Sequence, residues 1–551
     1  MKNITIVALA VASMLVGCSS PAPETIYTDN FRHTSLGFLP DVEKEMTITL
    51  PQAESFRVRR ADNDKVVFEG ALSEVLTQAD VAQSVRIADF TKLTKSGEYY
   101  LEVPGEGRSR NFVIGDNVYD EAYAHAMRAF YLWRCGAAID YTFQGKRYQQ
   151  DVCHQNDGHE DYIGNEGQHH DGTGGWHDAG DYGKYTVNAG ITGFTLLWAW
   201  EQFAPALQSI EIGLPETAPG YPEFLKEIKW ETDWLLKMAY PDGSGKVSHK
   251  LTALNFSGFY TMPEEDLQAR YYTDWSSAAT ADYVAFLAQA SRAFAPYDAE
   301  YAKKCLDAAK VSYEFLKNYP GQKFLMQMEF TTGAYFTIDP DDRMWAAAEM
   351  WESTGEKQYL EDFEKLAEQQ QFVVDVNWDW DNMRNLGMFR YAVSQREGKN
   401  PEIDAKIKAN IIAAADEIVA TAEADVYARP MGGRYYWGCN GTVGRQTLGL
   451  QVADILSPDA KYVATARDAV AHLFGRNYYN RSFVTRLGFN PPMYPHDRRS
   501  AADDVYGPWP GYVVGGGHTA TDWIDNQDSY SHNEVAINWQ AGLVFALAYC
   551  L

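Results

Sequence analysis

Phe112-Val-Ile-Gly-Asp-Asn-Val-Tyr119-Asp-Glu-Ala-Tyr-Ala-His-Ala-Met127-Arg-Ala-Phe-Tyr-Leu132 is where the chain changes its period. Up to Ile114 large apolar residues alternate with others, as in half-buried strands. From Tyr119 they recur at helical spacing, which predicts a helix from Tyr119 to Ile139. N-terminal to this junction the alternation continues through Met46-Thr-Ile-Thr-Leu50, Phe56-Arg-Val58, Val66-Val-Phe68 and Tyr99-Tyr-Leu-Glu-Val103. Asp-Asn, Lys-Ser-Gly and Pro-Gly-Glu-Gly turn signals separate these runs. Residues 24–115 therefore read as a β-sandwich, immunoglobulin-like in size. They hold no clustered His, Cys or paired acids, and no chemistry is assigned to them.

C-terminal to the junction, residues 116–551 read as helical. Phe224, Leu225, Ile228 and Leu235 share one apolar face, and further helical stretches fall near 184–203, 278–295, 299–318, 342–354, 404–424, 443–455, 459–475 and 533–550. About a dozen helices with few strands fit stacked helical hairpins, closed as a toroid or open as a solenoid. The loops between them are rich in His, Asp, Trp and Gly, and loops on a rigid scaffold are where function sits.

The bulk numbers bound the function. In 551 residues, 46% are hydrophobic and 14% aromatic, so a large core is assured, with rings left over for a ligand cleft. A net charge of -27 speaks against nucleic acid, which requires basic patches, and suits a neutral polymer as partner. The first residues read as an export signal: Lys2, an apolar run from Ile4 to Val16, then Leu15-Val-Gly-Cys18, which resembles a bacterial lipobox. The run is too short to span a bilayer. On this reading residues 1–23 are a lipoprotein signal and tether. Cys18 becomes the lipidated N-terminus of a cell-envelope protein, with the outer membrane as destination. An ordinary signal peptide with an incidental Cys is the alternative.

Three loop segments carry acids. In Gly174-Gly-Trp-His-Asp178-Ala-Gly-Asp181-Tyr-Gly-Lys-Tyr185, two carboxylates three residues apart are separated by small residues that permit close backbone approach. Such a pair can hold one water for a general base, but a calcium loop or a helix N-cap has the same composition. Ser482 to Arg498 places His496 and Arg498 on a Pro-rich loop able to bind hydroxyls or orient an acid. Trp523 to Ala536 carries Asp525, Asp528 and Glu534 into an apolar helix, where an acid at a helix start is ordinarily only dipole-favoured.

Taken together, the three segments resemble glycoside hydrolase family 9, the inverting cellulase family with an (α/α)6 barrel. The His496/Arg498 segment matches that family's first signature throughout. The Glu534 segment matches the second except at Gln540, where the family has Asn. The resemblance continues through Trp234-Leu-Leu-Lys-Met238, Pro241-Asp-Gly243, Ala278-Ala-Thr-Ala-Asp282, Trp345-Ala-Ala-Ala-Glu349 and Gly475-Arg-Asn477, and so spans essentially all of 116–551. The β-rich segment resembles the immunoglobulin-like module that precedes many such domains.

The resemblance implies inverting hydrolysis of β-1,4-glycosidic bonds in glucan chains, by a monomer. Asp181 is then the base, Asp178 helps hold the water, and Glu534 is the acid, kept protonated by burial or negative neighbours such as Asp525 and Asp528. His496 and Arg498 bind sugar hydroxyls, with Asp525, Tyr506 and Trp509 as further candidates for the substrate site. An exo-acting enzyme on cellodextrins or glucosamine oligosaccharides is the alternative, with the loop Gln155–Thr173 and its His159, His169 and His170 walling off one end of the cleft. A non-catalytic glycan-binding lipoprotein is the reading from another class.

Cys135, Cys153, His154 and His177 make a tetrahedral set suited to structural zinc, while a Cys135–Cys153 disulfide is the equal alternative by spacing. The resemblance favours zinc, since family members carry this arrangement. Thr337-Ile-Asp339-Pro-Asp341-Asp342, completed by Asp381, resembles a calcium loop of the family, against acids simply favouring a helix start. Cys305, Cys439 and Cys550 share no motif.

Overall fold

A computed structural model describes residues 28–157, 160–161, 170–215 and 219–551. The expected export signal with Cys18, and His159 and His169, lie outside the described residues. No helix among the described residues is long and apolar enough to cross a membrane.

The N-terminal part is a sandwich of two antiparallel sheets. One orders Phe31–Arg32, Glu45–Ile48, Gln83–Asp89 and Leu76–Gln78. The other orders Val66–Ala71, Ser55–Arg60, Gly97–Val103 and Gly107–Arg108, with Phe112–Ile114 also on Gly97–Val103. Registers such as Met46 opposite Ala88 and Val58 opposite Leu101 aim one face of each sheet inward. Phe31, Ile48, Phe56, Tyr99 and Phe112 then fill a common core. The strand Gln83–Asp89, whose polar residues hide the alternation, is missing from the sequence reading.

The rest is helical: α1 (Asp120–Leu132), α2 (Thr186–Leu207), α3 (Glu223–Lys237), α4 (Ser277–Phe294), α5 (Ala299–Asn318), α6 (Pro340–Thr354), α7 (Lys357–Gln369), α8 (Arg384–Val393), α9 (Pro401–Glu423), α10 (Cys439–Leu456), α11 (Ala460–Leu473), the short α12 (Arg498–Ala502) and α13 (Tyr530–Asn533), and α14 (Ile537–Cys550). Helix α1 stops at Leu132 rather than Ile139. A left-handed Gly136 (φ +76°) turns the chain into a hairpin, Ile139–Phe143 against Lys146–Gln150. The sequence reading also lacks α7 and α8.

Contacts close α2, α4, α6, α8, α10 and α14 into a ring, each touching the next and α14 returning to α2. The other six long helices form an outer layer, each packed on the inner ones. This is the (α/α)6 toroid rather than the open solenoid. Sequence explains the layering. In α4 almost every residue is buried, so it is apolar or small all round, as an inner helix must be. Outer helices bury one stripe only: Tyr359, Leu360, Phe363 and Ala367 on α7, and Ile407, Ile411, Ala415 and Ile418 on α9. The inner crossing of α10 and α14 is glycine on glycine. A Cβ on Gly444 would lie 2.5 Å from the carbonyl carbon of Gly542.

The inner helices run in the same direction, so the loops that enter them gather at one end of the ring. At the other end Arg390 pairs with Glu201 and Glu349, and Arg292 with the same two acids, tying α2, α4, α6 and α8 together.

Candidate active site

The loops entering the inner helices line a cleft of about 590 Å³. Asp178, Asp181 and Tyr185 come from the approach to α2, Phe256 from that to α4, and Tyr335 from that to α6. Asp379 and Trp380 precede α8, Trp437 precedes α10, and His496, Arg498 and Glu534 precede α14.

Backbone bonds lace the three predicted segments together. Ala179 forms an antiparallel bridge with Ala536, and the Ile537 amide donates to the Asp178 carbonyl at 2.9 Å. His496 forms a parallel bridge with Glu534. Both the amide and the guanidinium of Arg498 donate to the Gly180 carbonyl, at 3.2 and 2.7 Å. The glycine of Asp178-Ala-Gly-Asp181 is obligatory, because a Cβ at Gly180 would meet the His496 carbonyl oxygen at 2.0 Å. Glu534 itself lies in extended backbone three residues before α14, so its position is not that of a dipole-favoured helix residue.

Each aspartate is oriented by a phenol. Asp178 accepts from Tyr335 Oη at 2.6 Å and from Asn188 Nδ2 at 2.7 Å. Asp181 accepts from Tyr185 Oη at 3.2 Å and from the Gly183 amide at 3.0 Å. Burial, then the charge of Asp181, pushes the Asp178 carboxyl up to about 8. Burial, then Asp181 and Asp178, holds Glu534 well above the usual carboxylate range, with Arg498 opposing. The raising charge is that of the two aspartates, not of Asp525 and Asp528.

His496 donates through Nδ1 to the Gln527 carbonyl at 2.6 Å and packs on Phe259, with ring centroids 4.6 Å apart. That bond leaves Nε2 as acceptor. Burial holds its pKa below the ordinary value. Gln540 is fully used: it accepts from the Val513 amide at 3.0 Å and donates to the Ala126 and Gly511 carbonyls at 2.8 Å each. The longer amide thus ties α14 to α1.

Three expected substrate residues lie elsewhere. Asp525 accepts from the Met493 and Tyr494 amides and from Arg481 at 2.9 Å, so it fastens the loop leading to His496. Trp509 is buried, donates to Asp503 at 2.9 Å and carries Arg499 on its face. Tyr506 is exposed beside Lys146 and outside the cleft. Of the rings that line the cleft, Phe256, Tyr335, Trp380, Trp437, Tyr530 and Trp539 are absent from the sequence reading of the site. A usable signal existed: Trp378-Asp-Trp-Asp381 precedes α8 and Trp437-Gly438 precedes α10, on loops entering inner helices as the Asp178–Asp181 loop enters α2. Asp379, held by Arg445 and by Asn538 Nδ2 at 2.7 Å, completes that wall.

Beside the aspartates, Cys135, Cys153, His154 and His177 gather with their ligand atoms within 4.8 Å of one another. Both cysteines are free thiols, not a disulfide. The distances are 3.3 Å between His154 Nδ1 and His177 Nε2, 3.6 Å from Cys135 Sγ to His154 Nδ1, and 3.9 Å from Cys153 Sγ to His177 Nε2. Bonds of about 2.3 Å to sulfur and about 2.0 Å to nitrogen in a tetrahedron give edges of roughly 3.3–3.8 Å. The four side chains can therefore hold one metal ion, and His177 directly precedes Asp178.

The acidic turn does not assemble as read. Asp339 pairs with Arg343 at 2.6 Å, and Asp341 accepts from the Met383 amide at 2.7 Å. Asp342 faces Asp282. Asp381 meets Thr337 only through its carbonyl, at 3.3 Å, and its carboxyl is raised by burial and then by Asp379. Of the histidines of the 155–173 loop, His170 stacks on Tyr272 at 3.8 Å and is not among the residues that line the cleft.

Residues 119–547 match the family model for glycosyl hydrolase family 9, and residues 28–108 match that of the cellulase N-terminal ig-like domain. The chain is 51% identical to Endoglucanase D of Acetivibrio thermocellus over 95% of its own length and 83% of the relative's. It is 31% identical to a xyloglucan-specific endo-beta-1,4-glucanase of Bacteroides ovatus, over 100% and 98% of the two chains. A crystal structure of a Zn-binding triple mutant of the family 9 endoglucanase J30 superposes with a TM-score of 0.87 at 32% identity, covering 93% of this chain and 100% of that one. With its laced acids, its inner-ring cleft and these matches over nearly the whole length, the chain belongs to glycosyl hydrolase family 9 and is a glycoside hydrolase.

Proposed function

We propose that this protein cuts β-1,4-linked glucan chains internally and with inversion, using Asp181 as base and Glu534 as acid. One observation carries the reading: Glu534, held above the usual carboxylate range by burial and like charge, is laced by backbone bonds to the Asp178–Asp181 loop in one ring-lined cleft. Glu534 protonates the leaving glycosidic oxygen. Asp181 takes a proton from a water that Asp178 also holds, and that water adds to the anomeric carbon. Tyr335 and Tyr185 fix the two aspartates, while His496 and Arg498 bind sugar hydroxyls beside the acid. The test is the anomer first released from cellohexaose, followed by NMR. The α-anomer is expected, and initial β-anomer would discard the mechanism.

The Cys135, Cys153, His154 and His177 set is proposed to hold zinc. Four protein donors leave no open position, so the ion would brace the loop that carries Asp178 and would take no part in proton transfer. Calcium at the Thr337–Asp342 turn, completed by Asp381, is a separate proposal with narrower support: Asp339 and Asp341 have partners of their own, while the buried Asp342 oxygens lie against Asp282, with Asp341 and Asp339 adding to the negative charge. Elemental analysis of the purified protein tests both. Lipidation at Cys18, with anchoring in the cell envelope, is checked by palmitate labelling of wild type against Cys18→Ala.

A further inference from the structure

Lys250 opens the strand Lys250–Ala253, which pairs antiparallel with Lys184–Tyr185 on the approach to α2. The register sets Lys250 opposite Tyr185 and Leu251 opposite Lys184. Residues opposite one another in such a pair project to the same face, and neighbours along a strand to opposite faces. Lys184 accordingly meets Asp157 at 2.7 Å, while Lys250 stands on the side of Tyr185, its Nζ 5.8 Å from the centre of that ring.

Lys250 is fully buried, and its partners are unusual for a buried cation. Burying a charge is costly unless a counter-charge meets it. Arg134 meets Glu227 at 2.8 Å, and Lys184 meets Asp157. The Lys250 ammonium instead donates to neutral oxygens: Gln327 Oε1 at 3.1 Å, Thr332 Oγ1 at 3.0 Å, and the Thr332 and Gly333 carbonyls at 3.4 and 2.7 Å. Burial lowers its pKa to about 7, and the charge that opposes this is that of Asp181.

The bonds lead on to the same aspartate. The Thr332 carbonyl belongs to the peptide whose N–H, that of Gly333, donates to Tyr185 Oη at 3.0 Å, and Tyr185 donates to Asp181 at 3.2 Å. A cation on the carbonyl side polarises that peptide and strengthens its N–H as a donor, and the effect passes along the chain of bonds. Glycine at 333 permits the approach, since a Cβ there would lie 3.0 Å from Tyr185 Oη.

We propose that Lys250 is a positioning residue for the base: through Gly333 and Tyr185 it fixes the Asp181 carboxylate, and its charge favours the ionised form that takes the proton from water. The inference rests on Asp181 as base in the reading above. Asp178, Glu534, His496 and Tyr185 also face Asp181, Arg498 faces Glu534, and His249 lies beside Lys250. None of these is replaced in the test.

Lys250→Met, Lys250→Gln and Lys250→Arg are made in the full chain and assayed on cellohexaose across the pH profile, with circular dichroism and thermal unfolding as controls. Asp181 must be ionised to act, so kcat/KM is lost as pH falls through its pKa, and removing a nearby cation raises that pKa. Lys250→Met is expected to lower kcat about tenfold and to move the acidic limb about 0.5–1 pH unit toward higher pH, the scale of one lost charge near a carboxylate. KM should stay within about twofold of wild type, because no sugar contact is removed. Lys250→Gln, which keeps a donor for the Gly333 carbonyl, should move the limb likewise with a smaller fall in kcat. Lys250→Arg should leave the limb in place. An acidic limb that stays put in the folded neutral variants, or one that moves equally in all three, overturns the proposal. Failure of both neutral variants to fold also overturns it, since Lys250 would then be structural only. Initial release of β-anomer by wild type would instead remove Asp181 as base, a failure of the reading on which the inference stands.

Discussion

Asp181 and Glu534 differ in what surrounds them, and their proposed roles rest on that difference. Replacing either by its amide keeps shape and removes ionisable chemistry, so Asp181→Asn and Glu534→Gln should each lower kcat by about three orders of magnitude or more, roughly 4 kcal/mol of barrier, with circular dichroism unchanged. Near-normal turnover in either variant removes that residue from its role. The acid must be protonated to work, so activity is kept below the raised pKa of Glu534 and lost as pH rises through it. Arg498 opposes the shift and Asp178 supports it. In kcat/KM profiles, Arg498→Met should therefore move the basic limb to higher pH and Asp178→Asn to lower pH, both at reduced turnover. Opposite movements would mean that another group titrates in that limb. The carboxyls, His496 and Arg498 could be singled out in the sequence because three loop segments together resemble those of a known family, whereas each segment alone also fits a calcium loop, a helix cap or a dipole-favoured acid. Asp525, Tyr506 and Trp509 were misplaced because nearness along the chain says nothing of which way a loop side chain turns.

Among the elements, one backbone contact and the Cys135, Cys153, His154 and His177 cluster locate the Asp178–Asp181 loop. A Cβ at Gly180 would occupy the space of the His496 carbonyl oxygen. Gly180→Ala should thus part the base loop from the acid segment, and the expected loss is at least a hundredfold in kcat/KM, with thermal stability lowered as well. Wild-type kinetics in that variant would show that the two segments need not touch. At the cysteine–histidine cluster, purified protein should carry about one zinc with both thiols free. Cys153→Ser should lower zinc content and stability together, with activity following as Asp178 loosens. Metal-free protein with Cys135 and Cys153 oxidised to a disulfide and full activity would end the zinc reading. Most outer helices were legible because one stripe of each repeats at helical spacing, though α7, with only four buried residues among many charged ones, was not. Helix α8 was not, since it is short and almost wholly buried. The end of α1 was hidden because the hairpin after Gly136 keeps apolar Ile139 in phase with the helix before it.

For the molecule as a whole, the sandwich is a buttress to the loop that carries His496 and Arg498. Ser35 donates its amide to the Phe474 carbonyl at 2.9 Å, and the His33 ring meets Phe489 at 5.1 Å. A Cβ on Gly475 would lie 2.7 Å from the His33 carbonyl oxygen, so the two backbones are in direct contact. From there Arg481 pairs with Asp525, which fastens the Met493 and Tyr494 amides just before His496. Elsewhere on the interface Arg429 reaches Asp80 at 2.8 Å, Arg476 reaches Glu45 at 2.8 Å, and Val81 and Val85 pack with Val426, Tyr427 and Ala520. Removing residues 28–115 would leave two buried arginines short of a partner and expose that apolar cluster. Each change of this kind is destabilising. The full chain should therefore unfold in one calorimetric transition, and the separated 116–551 fragment at a midpoint lower by about 10 °C or more. Below that midpoint the fragment should also lose kcat/KM, because the 474–498 segment has lost its support. Two independent transitions in the full chain, or a fragment with unchanged midpoint and kinetics, would show that the sandwich is a passenger on a self-sufficient barrel.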